Sequence, residues 1–255
     1  MTIFDWFGYE LPQVERYRLI RSAGFTGVLL WWSDEFDQHY RDAPEVARRA
    51  GLFVENIHTP FAGINSLWLD NLDGEAFAAR LLQCVEDCAE FEIPTMVVHL
   101  SSGATPPPMN DLGLGRIRRI ADLAERRGVN IAFENLRKTE YLDYVLGRLD
   151  SPRIGLCYDS GHHNCYTPGE DLLGQYGSRL MALHLHDNDG SDDQHLLPFE
   201  GTVRWESILP QIAGTGYRGA LSLEAMNEGH QTLPAEEFLR LAYARAEKLE
   251  ALLRC

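Results

Sequence analysis

Short runs of apolar and β-branched residues alternate with amphipathic stretches from one end of the sequence to the other, and few folds accommodate that pattern. The runs are continuously apolar, which is typical of parallel strands covered on both faces. They occupy residues 3–7, 26–32, 52–59, 95–102, 129–136, 154–161, 180–187 and 220–226. Helical periodicity fills the stretches between them, most clearly at 12–23, 43–50, 74–91, 110–127 and 234–253.

Eight strands alternating with helices predict an α/β fold, a single (β/α)8 or TIM barrel in one domain over residues 1–255. A chain length of 255 residues is usual for such a barrel. An open, doubly wound sheet is the alternative, but no G-x-G-x-x-G or Walker-type turn follows any strand. That absence also predicts that no nucleotide cofactor is bound. In a barrel, we expect the active site at the carboxyl ends of the strands.

The charge balance restricts the class of partner. The chain has 23 basic and 38 acidic residues, a net charge of −15, whereas binding to a nucleic acid backbone requires a basic surface. No apolar run approaches the roughly 20 residues of a membrane span, and the opening MTIFDWFGYE does not look like a secretory signal. The cysteines form neither a paired framework nor a CxxC motif, so we expect a reducing, cytoplasmic location. They are Cys84, Cys88, which we expect to share a packed helix face, Cys157, Cys165 and Cys255.

Side chains suited to chemistry stand at the ends of the predicted strands. A lone histidine there is usually a hydrogen-bonded structural residue, but a buried carboxylate is costly unless it is protonated, paired or metal-bound. Glu134 and Glu224 belong to strands on opposite sides of the barrel mouth. With Asp159 and His186 they offer mixed oxygen and nitrogen ligands for Mn²⁺, Mg²⁺, Co²⁺ or Zn²⁺. The full set is His58, His99, Glu134, Asp159, His184, His186 and Glu224, with His162 and His195 in the loops that follow.

His184 and His186 are two residues apart on one strand, so both side chains can point inward. The residue nearer the rim faces a metal, and the residue below it lies in a packed layer. We therefore expect His186 to be the ligand and His184 to be a supporting or core residue.

Five motifs, in this order and on these strands, resemble those of the xylose isomerase-like barrels. That superfamily includes ketose 3-epimerases, sugar phosphate isomerase/epimerase-like proteins and the endonuclease IV group. The similarity extends from about the second strand to the last. The motifs are FEN at 133–135, YDSGHH at 158–163, HLHDND at 184–189, DQHLLPFEG at 193–201 and LSLEAM at 221–226.

The resemblance to ketose 3-epimerases implies one metal ion. Its ligands would be Glu134, Asp159, His186 and Glu224, and His162 and Glu140 would contact the substrate. This chain departs from that branch at one position: Asp192 stands where those enzymes have a substrate-contacting arginine.

The resemblance to endonuclease IV implies three zinc ions and a longer ligand set, all of which this chain contains. The low content of basic residues does not fit a DNA-binding enzyme. The implied ligands are His58, His99, Glu134, Asp159, His162, His186, Asp193, His195 and Glu224.

Together these features predict a metal-dependent isomerase or epimerase of a small sugar, ketose or sugar phosphate. Glu134 and Glu224 would act as acid and base through an enediolate. A multi-zinc phosphoesterase and a non-catalytic sugar-binding barrel are the alternatives. A homo-oligomer stays open, since related barrels often form dimers or tetramers. The expected substrate contacts are His58, His99, Glu140, His162, His195, Trp31, Trp32 and Trp68.

Overall fold

The computed structural model describes residues 1–35 and 39–253, so Cys255 lies outside the described residues. Within these ranges eight parallel strands are paired in the order β7-β6-β5-β4-β3-β2-β1-β8. The strands are β1 (Thr2–Phe4), β2 (Gly27–Trp31), β3 (Phe53–His58), β4 (Thr95–Val98), β5 (Asn130–Glu134), β6 (Ile154–Asp159), β7 (Leu180–His184) and β8 (Ser222–Leu223).

The sheet closes on itself. β1 pairs with β8 through Thr2 opposite Ser222. A parallel bridge between Leu185 and Leu223 joins the remaining two edges, just beyond the end of β7. The predicted (β/α)8 barrel is confirmed, and the alternative of an open sheet is wrong.

Helices connect the strands, and several of their ends follow from local sequence. Asn71 and Asn110 each accept a hydrogen bond of 2.9 Å from an amide in the first turn of the helix that follows, which satisfies a donor that has no partner in the helix. Gly24 and Gly128 end two helices with φ of 116° and 74°, a conformation that glycine adopts without steric cost. The helices are α1 (Gln13–Ala23), α2 (Ala43–Arg49), α3 (Leu72–Glu90), α4 (Asp111–Arg127), α5 (Glu140–Leu146), α6 (Ser160–Tyr166), α7 (Leu172–Tyr176), α8 (Trp205–Gly214) and α9 (Ala235–Leu253).

The main hydrophobic core joins strand residues such as Ile57 and Phe133 to helix residues such as Leu81 and Leu239. Cys84 and Cys88 are free and buried on α3, as their spacing predicts. Among the described residues, no helix is both long and apolar enough to cross a membrane.

A second, smaller cluster lies inside the barrel and is called here the small-residue layer: Val97, Ala132, Cys157 and Ala182. Each of its members precedes by two residues a polar side chain at the end of the same strand. Because side chains on a strand alternate with a period of two, those polar side chains form the next layer toward the mouth. The polar side chains are His99, Glu134, Asp159 and His184.

Candidate metal centre

The polar side chains predicted at the strand ends converge on the mouth of the barrel. Every strand of a parallel barrel ends on the same face, so residues far apart in sequence meet there. Six of these side chains are at most 7% exposed. Four of them are the last residues of their strands, namely His58, Glu134, Asp159 and His184. The other two, His99 and Glu224, directly follow the last residue of their strands.

Three carboxylates and one imidazole form the most acidic cluster, called here the four-donor group: Glu134, Asp159, His184 and Glu224. Each offers an atom within 4.8 Å of the others. His184 Nδ1 lies 3.1 Å from Glu134 Oε1 and 3.2 Å from Glu224 Oε1. Carboxylates from β5 and from the end of β8 therefore flank a single imidazole nitrogen.

The structure places His184 in this group, whereas the sequence predicts His186 as the ligand. β7 ends at His184, so that side chain lies level with Glu134 and Asp159. His186 is also fully buried, but its Nε2 faces Asp159 Oδ2 at 3.1 Å and Asp193 Oδ1 at 3.6 Å. His186 thus belongs to a neighbouring cluster rather than to the four-donor group.

A second cluster, the His58 group, consists of His58, His99 and Glu134. Glu134 Oε2 lies 3.3 Å from His58 Nε2 and 2.9 Å from His99 Nε2. Since Glu134 Oε1 faces His184, the two oxygens of one carboxylate serve two adjacent donor groups.

A third cluster, the loop group, consists of His186, Asp193 and His195. Asp193 Oδ2 lies 3.4 Å from His195 Nε2 and 3.0 Å from His162 Nε2. The imidazoles of His186 and His195 stack with centroids 4.1 Å apart. All of the ligands that the endonuclease IV resemblance implies are thereby brought together.

The hydrogen bonds of two histidines show that these groups suit a cation. His58 Nδ1 faces the carbonyl oxygen of Thr59 at 2.9 Å, and His195 Nδ1 faces that of Glu224 at 2.8 Å. A carbonyl only accepts, so the Nδ1 of each ring carries a proton. In the neutral rings, the Nε2 lone pairs then point at the carboxylates of Glu134 and Asp193. Two acceptors facing each other require a proton or a metal ion between them.

Buried polar atoms without a hydrogen-bond partner also indicate cation sites, because such atoms are rare in folded proteins. A metal with ligands at about 2.0–2.2 Å, separated by angles of 90–109°, places neighbouring ligand atoms about 2.8–3.6 Å apart. The separations of 2.9–3.3 Å in the two groups that share Glu134 lie in this range. The residues therefore fit divalent ions. The atoms without a hydrogen-bond partner include His99 Nε2, Glu134 Oε2, His184 Nε2, His186 Nδ1 and Asp193 Oδ1.

The turn from β6 into α6 shows how the chain builds one edge of the centre. Asp159 Oδ1 accepts a hydrogen bond of 2.6 Å from the amide of His162, so a donor of the four-donor group also caps α6. The expectation that His162 lies in a loop is wrong, because α6 begins directly after Asp159. At Gly161 a Cβ atom would collide with the ring of His186, so the close approach of α6 requires glycine.

Residues 187–203 form the loop that brings Asp193 and His195 to the centre, and one buried carboxylate accepts four hydrogen bonds within and beside this loop. Asp187 Oδ1 accepts from the amides of Asn188 at 2.9 Å and Val203 at 3.0 Å. Its Oδ2 accepts from the amide of Phe199 at 2.9 Å and from Trp205 Nε1 at 3.0 Å. The loop is therefore joined to α8 through one side chain.

Opposed charges at the centre shift the pKa values of its groups. Burial raises the pKa of Glu134, but the imidazoles of His184 and His99 outweigh it and hold that pKa well below its usual range. Burial likewise opposes the effect of His184 on Glu224, whose pKa is lowered to about 2. Burial lowers the pKa of His195, yet Asp193 and Glu224 raise it to about 9. The carboxylates in turn raise the pKa of His184 well above its usual value against the effect of burial, so protons on His184 and His195 offset the negative charge.

Metal uptake by the loop group is expected to strengthen with pH, since an ion must displace the proton of His195. Its pKa of about 9 means that the competing proton is bound below pH 9 and lost above it. The apparent affinity for Zn²⁺ should rise by about tenfold per pH unit from pH 6.5 to 9 for each proton released. Competition with a chromophoric chelator measures this slope, and His195→Gln should reduce it by one proton. An affinity independent of pH would contradict the assignment.

A cavity of about 470 Å³ opens above the donor groups. Trp31 and Phe61 form an apolar wall, with Trp31 5.2 Å from the ring of His58 and Phe61 stacked 4.5 Å from the ring of His99. His162 and His195 line the cavity as predicted for substrate contacts, together with His58 and His99.

Three residues predicted to contact substrate do not reach this cavity. Trp32 is buried against α3, where its Nε1 donates a hydrogen bond of 2.9 Å to Asp87 Oδ2. Trp68 is buried as well and donates to the carbonyl of Leu100 at 2.7 Å. Glu140 is exposed at the start of α5. The two aromatic rings are used in packing, and Glu140 lies outside the residues that line the cavity.

The cavity also includes residues that the sequence reasoning missed. Arg137 had a signal in the sequence, since it follows Glu134 by three residues in the loop after β5. The other missed residues carry no chemical signature in the sequence, and they include Phe4, Trp6, Ser101, Tyr166 and Met226.

Comparison with known proteins gives a consistent result. The sequence model of a family described as xylose isomerase-like TIM barrel matches residues 17–246. The uncharacterized protein y4fM of Sinorhizobium fredii is 38% identical over 296 aligned positions, which cover 99% of this chain and 94% of that protein. A 3-dehydroshikimate dehydratase of Pseudomonas putida is 24% identical over 88% of this chain, which spans 37% of that relative.

Solved structures share the fold. The D-psicose 3-epimerase of Clostridium cellulolyticum H10, determined with D-tagatose, superposes with a TM-score of 0.80 at 14% identity, covering 100% of this chain and 99% of that one. At this level of identity the similarity concerns the architecture alone.

Proposed function

The chain belongs to the xylose isomerase-like TIM barrel family, and on that premise we propose that it is a divalent-metal-dependent isomerase or epimerase of a small ketose or sugar phosphate. The family includes epimerases, isomerases and dehydratases. Because a TIM barrel carries many activities, the proposal rests on the site rather than on the fold.

The observation that carries the proposal is the pair of carboxylates on either side of His184 Nδ1. Glu134 and Glu224 approach that atom at 3.1 and 3.2 Å from strands separated by β6 and β7. A substrate bound above this point has a carboxylate on each side. Isomerisation and epimerisation both require one group to remove a proton from carbon and another to return it.

The low pKa values keep both glutamates ionised at neutral pH. An ionised carboxylate can accept the proton from the carbon beside a carbonyl group and becomes a carboxylic acid. In an isomerisation this acid can return the proton to the adjacent carbon. In an epimerisation the glutamate on the other side returns a proton that it first takes up from water. His162 is held by Asp193 at 3.0 Å and lines the cavity, so it can orient a substrate hydroxyl. Trp31 and Phe61 offer apolar surface to the carbon face of a sugar.

The four-donor group would hold the ion used in this reaction. Three carboxylates suit a hard ion such as Mg²⁺ or Mn²⁺, whereas the imidazole-rich His58 group and loop group suit Zn²⁺. A divalent ion there supplies Lewis-acid polarisation of adjacent oxygens, which makes the neighbouring carbon more acidic. His184 lies between the two glutamates and fixes their separation.

Hydrogen exchange at carbon tests the proposal without knowledge of the product. Protein loaded with Mn²⁺ is incubated in D2O with dihydroxyacetone, C4–C6 ketoses and their phosphates, and mass spectrometry follows the gain of one deuterium. We expect exchange in at least one compound, its loss after chelation and its return with Mn²⁺. Protein-free samples control for spontaneous exchange. The absence of exchange throughout would contradict the proposal and favour a non-catalytic sugar-binding barrel.

A multi-zinc phosphoesterase is the second candidate, because the three donor groups are adjacent. Glu134 is shared by the four-donor group and the His58 group, and His186 of the loop group lies 3.1 Å from Asp159 of the four-donor group. Adjacent metal ions can activate water and stabilise a leaving oxygen. Hydrolysis of phosphomonoesters or phosphodiesters by protein loaded with Zn²⁺, without exchange at carbon, would favour this candidate over the first.

A further inference from the structure

One cationic side chain faces the cavity, and neither the donor groups nor the proposed proton transfer uses it. Arg137 lies three residues after Glu134 and lines the cavity. Its guanidinium carbon is 3.6 Å from the centroid of the Tyr166 ring. Its Nη2 also donates a hydrogen bond of 2.8 Å to the hydroxyl oxygen of Tyr166.

The charges around the cavity make this arginine exceptional. Among the described residues that line the cavity, Arg137 alone is a lysine or arginine; the other charged residues are carboxylates and histidines. No ion pair between described residues involves Arg137, although the chain has a net charge of −15. Its charge is therefore available to a ligand, and among the described residues one of its N–H groups donates to a protein acceptor, the hydroxyl oxygen of Tyr166.

A stack of three side chains orients the guanidinium. Tyr166 lies at the end of α6 and stacks on the His162 ring with centroids 5.4 Å apart and an angle of 21° between the planes. His162 is in turn held by Asp193 at 3.0 Å. A guanidinium fixed in this way loses little freedom when it binds a planar or tetrahedral oxyanion through two N–H groups.

We propose that Arg137, oriented by Tyr166, binds an oxyanion of the substrate, so that the substrate is an anionic α-hydroxy carbonyl compound. Carboxylate and phosphate share the chemistry that a guanidinium recognises. The hydroxyketone part of the substrate rests on the proposed function. The oxyanion is inferred from Arg137 alone. Arg137 would thus determine specificity at the wall of the cavity.

Three compounds with the same hydroxyketone core test this inference. Hydroxypyruvate carries a carboxylate, dihydroxyacetone phosphate carries a phosphate, and dihydroxyacetone is neutral. Isothermal titration calorimetry at low ionic strength measures their Kd values for the Mg²⁺-loaded protein and for Arg137→Gln. Lys138→Gln is the matched control, since it removes a neighbouring positive charge that does not line the cavity.

We expect the wild type to bind at least one anionic compound about tenfold or more tightly than dihydroxyacetone. Arg137→Gln should weaken that compound by about 10- to 100-fold and leave dihydroxyacetone unchanged, while Lys138→Gln changes neither by more than about twofold. Tyr166→Leu should weaken the anionic compound by a smaller factor. Which of the two anions responds identifies carboxylate or phosphate.

The inference is overturned if the wild type shows no preference for either anion, including the case in which it binds none of the three. It is also overturned if Arg137→Gln weakens dihydroxyacetone equally or if Lys138→Gln has the same effect. Anion binding that depends on Arg137 without deuterium exchange would leave the inference standing and contradict the proposed function. Deuterium exchange with neutral ketoses only would support the proposed function and contradict the inference about Arg137.

Discussion

Glu134→Gln is expected to reduce the rate of deuterium exchange by about 1000-fold or more, within the range for loss of a general acid or base. The amide keeps the size of the side chain but cannot accept the proton from carbon. It also removes negative charge from two donor groups together, because Oε1 faces His184 and Oε2 faces His58 and His99. Metal analysis of the same variant should show weaker binding at both groups.

Two further variants make this result specific. Glu224→Gln should also impair exchange, but it should weaken metal binding by the His58 group less than Glu134→Gln does, since Glu134 is a member of that group and Glu224 is not. Glu140→Gln changes an exposed carboxylate outside the cavity and should leave the rate within about twofold of wild type. Full turnover in Glu134→Gln would show that the two glutamates are not the acid and base.

Asp187→Ala is expected to lower the free energy of unfolding by about 3–5 kcal/mol. The substitution leaves three backbone amides and the indole N–H of Trp205 without their acceptor in a fully buried position. It should also weaken Zn²⁺ binding by the loop group, because residues 187–203 carry Asp193 and His195. Urea denaturation and zinc titration measure the two effects separately.

The matched control is Asp192→Ala in the same loop, where the aspartate is exposed. A surface substitution of this kind should change stability by less than about 0.5 kcal/mol. Equal stability of the two variants would mean that the loop is held by other contacts than those of Asp187.

Much of the centre could be predicted because barrel topology converts strand order into proximity. Once eight apolar runs had been recognised, the polar residues ending them had to meet at one face. His58, His99 and Glu134 are examples: they lie far apart in the sequence, whereas pairing of β3, β4 and β5 places the ends of their strands side by side. Asp193 and His195 of the loop group follow no strand. They were predicted only because their spacing matches a ligand pair in the endonuclease IV group.

The choice between His184 and His186 could not be made from the sequence. A period of two places both side chains inside the barrel, and the length of β7 decides which of them is level with Glu134. The paired register of β6 and β7 sets Asp159 opposite His184, a fact of sheet geometry that the apolar run 180–187 does not contain.

Aromatic residues were the least predictable part of the site. Trp31 and Trp32 are adjacent, so they point to opposite faces of β2, and only Trp31 reaches the cavity. Their identity does not show which face is inward. Trp68 gave a similar ambiguity, since a large apolar ring with one N–H group serves equally in packing or in stacking on a ligand.

The small-residue layer has a consequence for how the protein assembles. The donors above it come from six different strands, β3 through β8, and the last of them, Glu224, is contributed only when the final strand has joined β1. A partly assembled barrel therefore presents an incomplete coordination sphere. An ion that binds only the complete ring stabilises the closed state alone, in proportion to the logarithm of its concentration. The ion would thus stabilise the closure of the barrel at β8, which pairs with β1 and with the end of β7 over only a few residues.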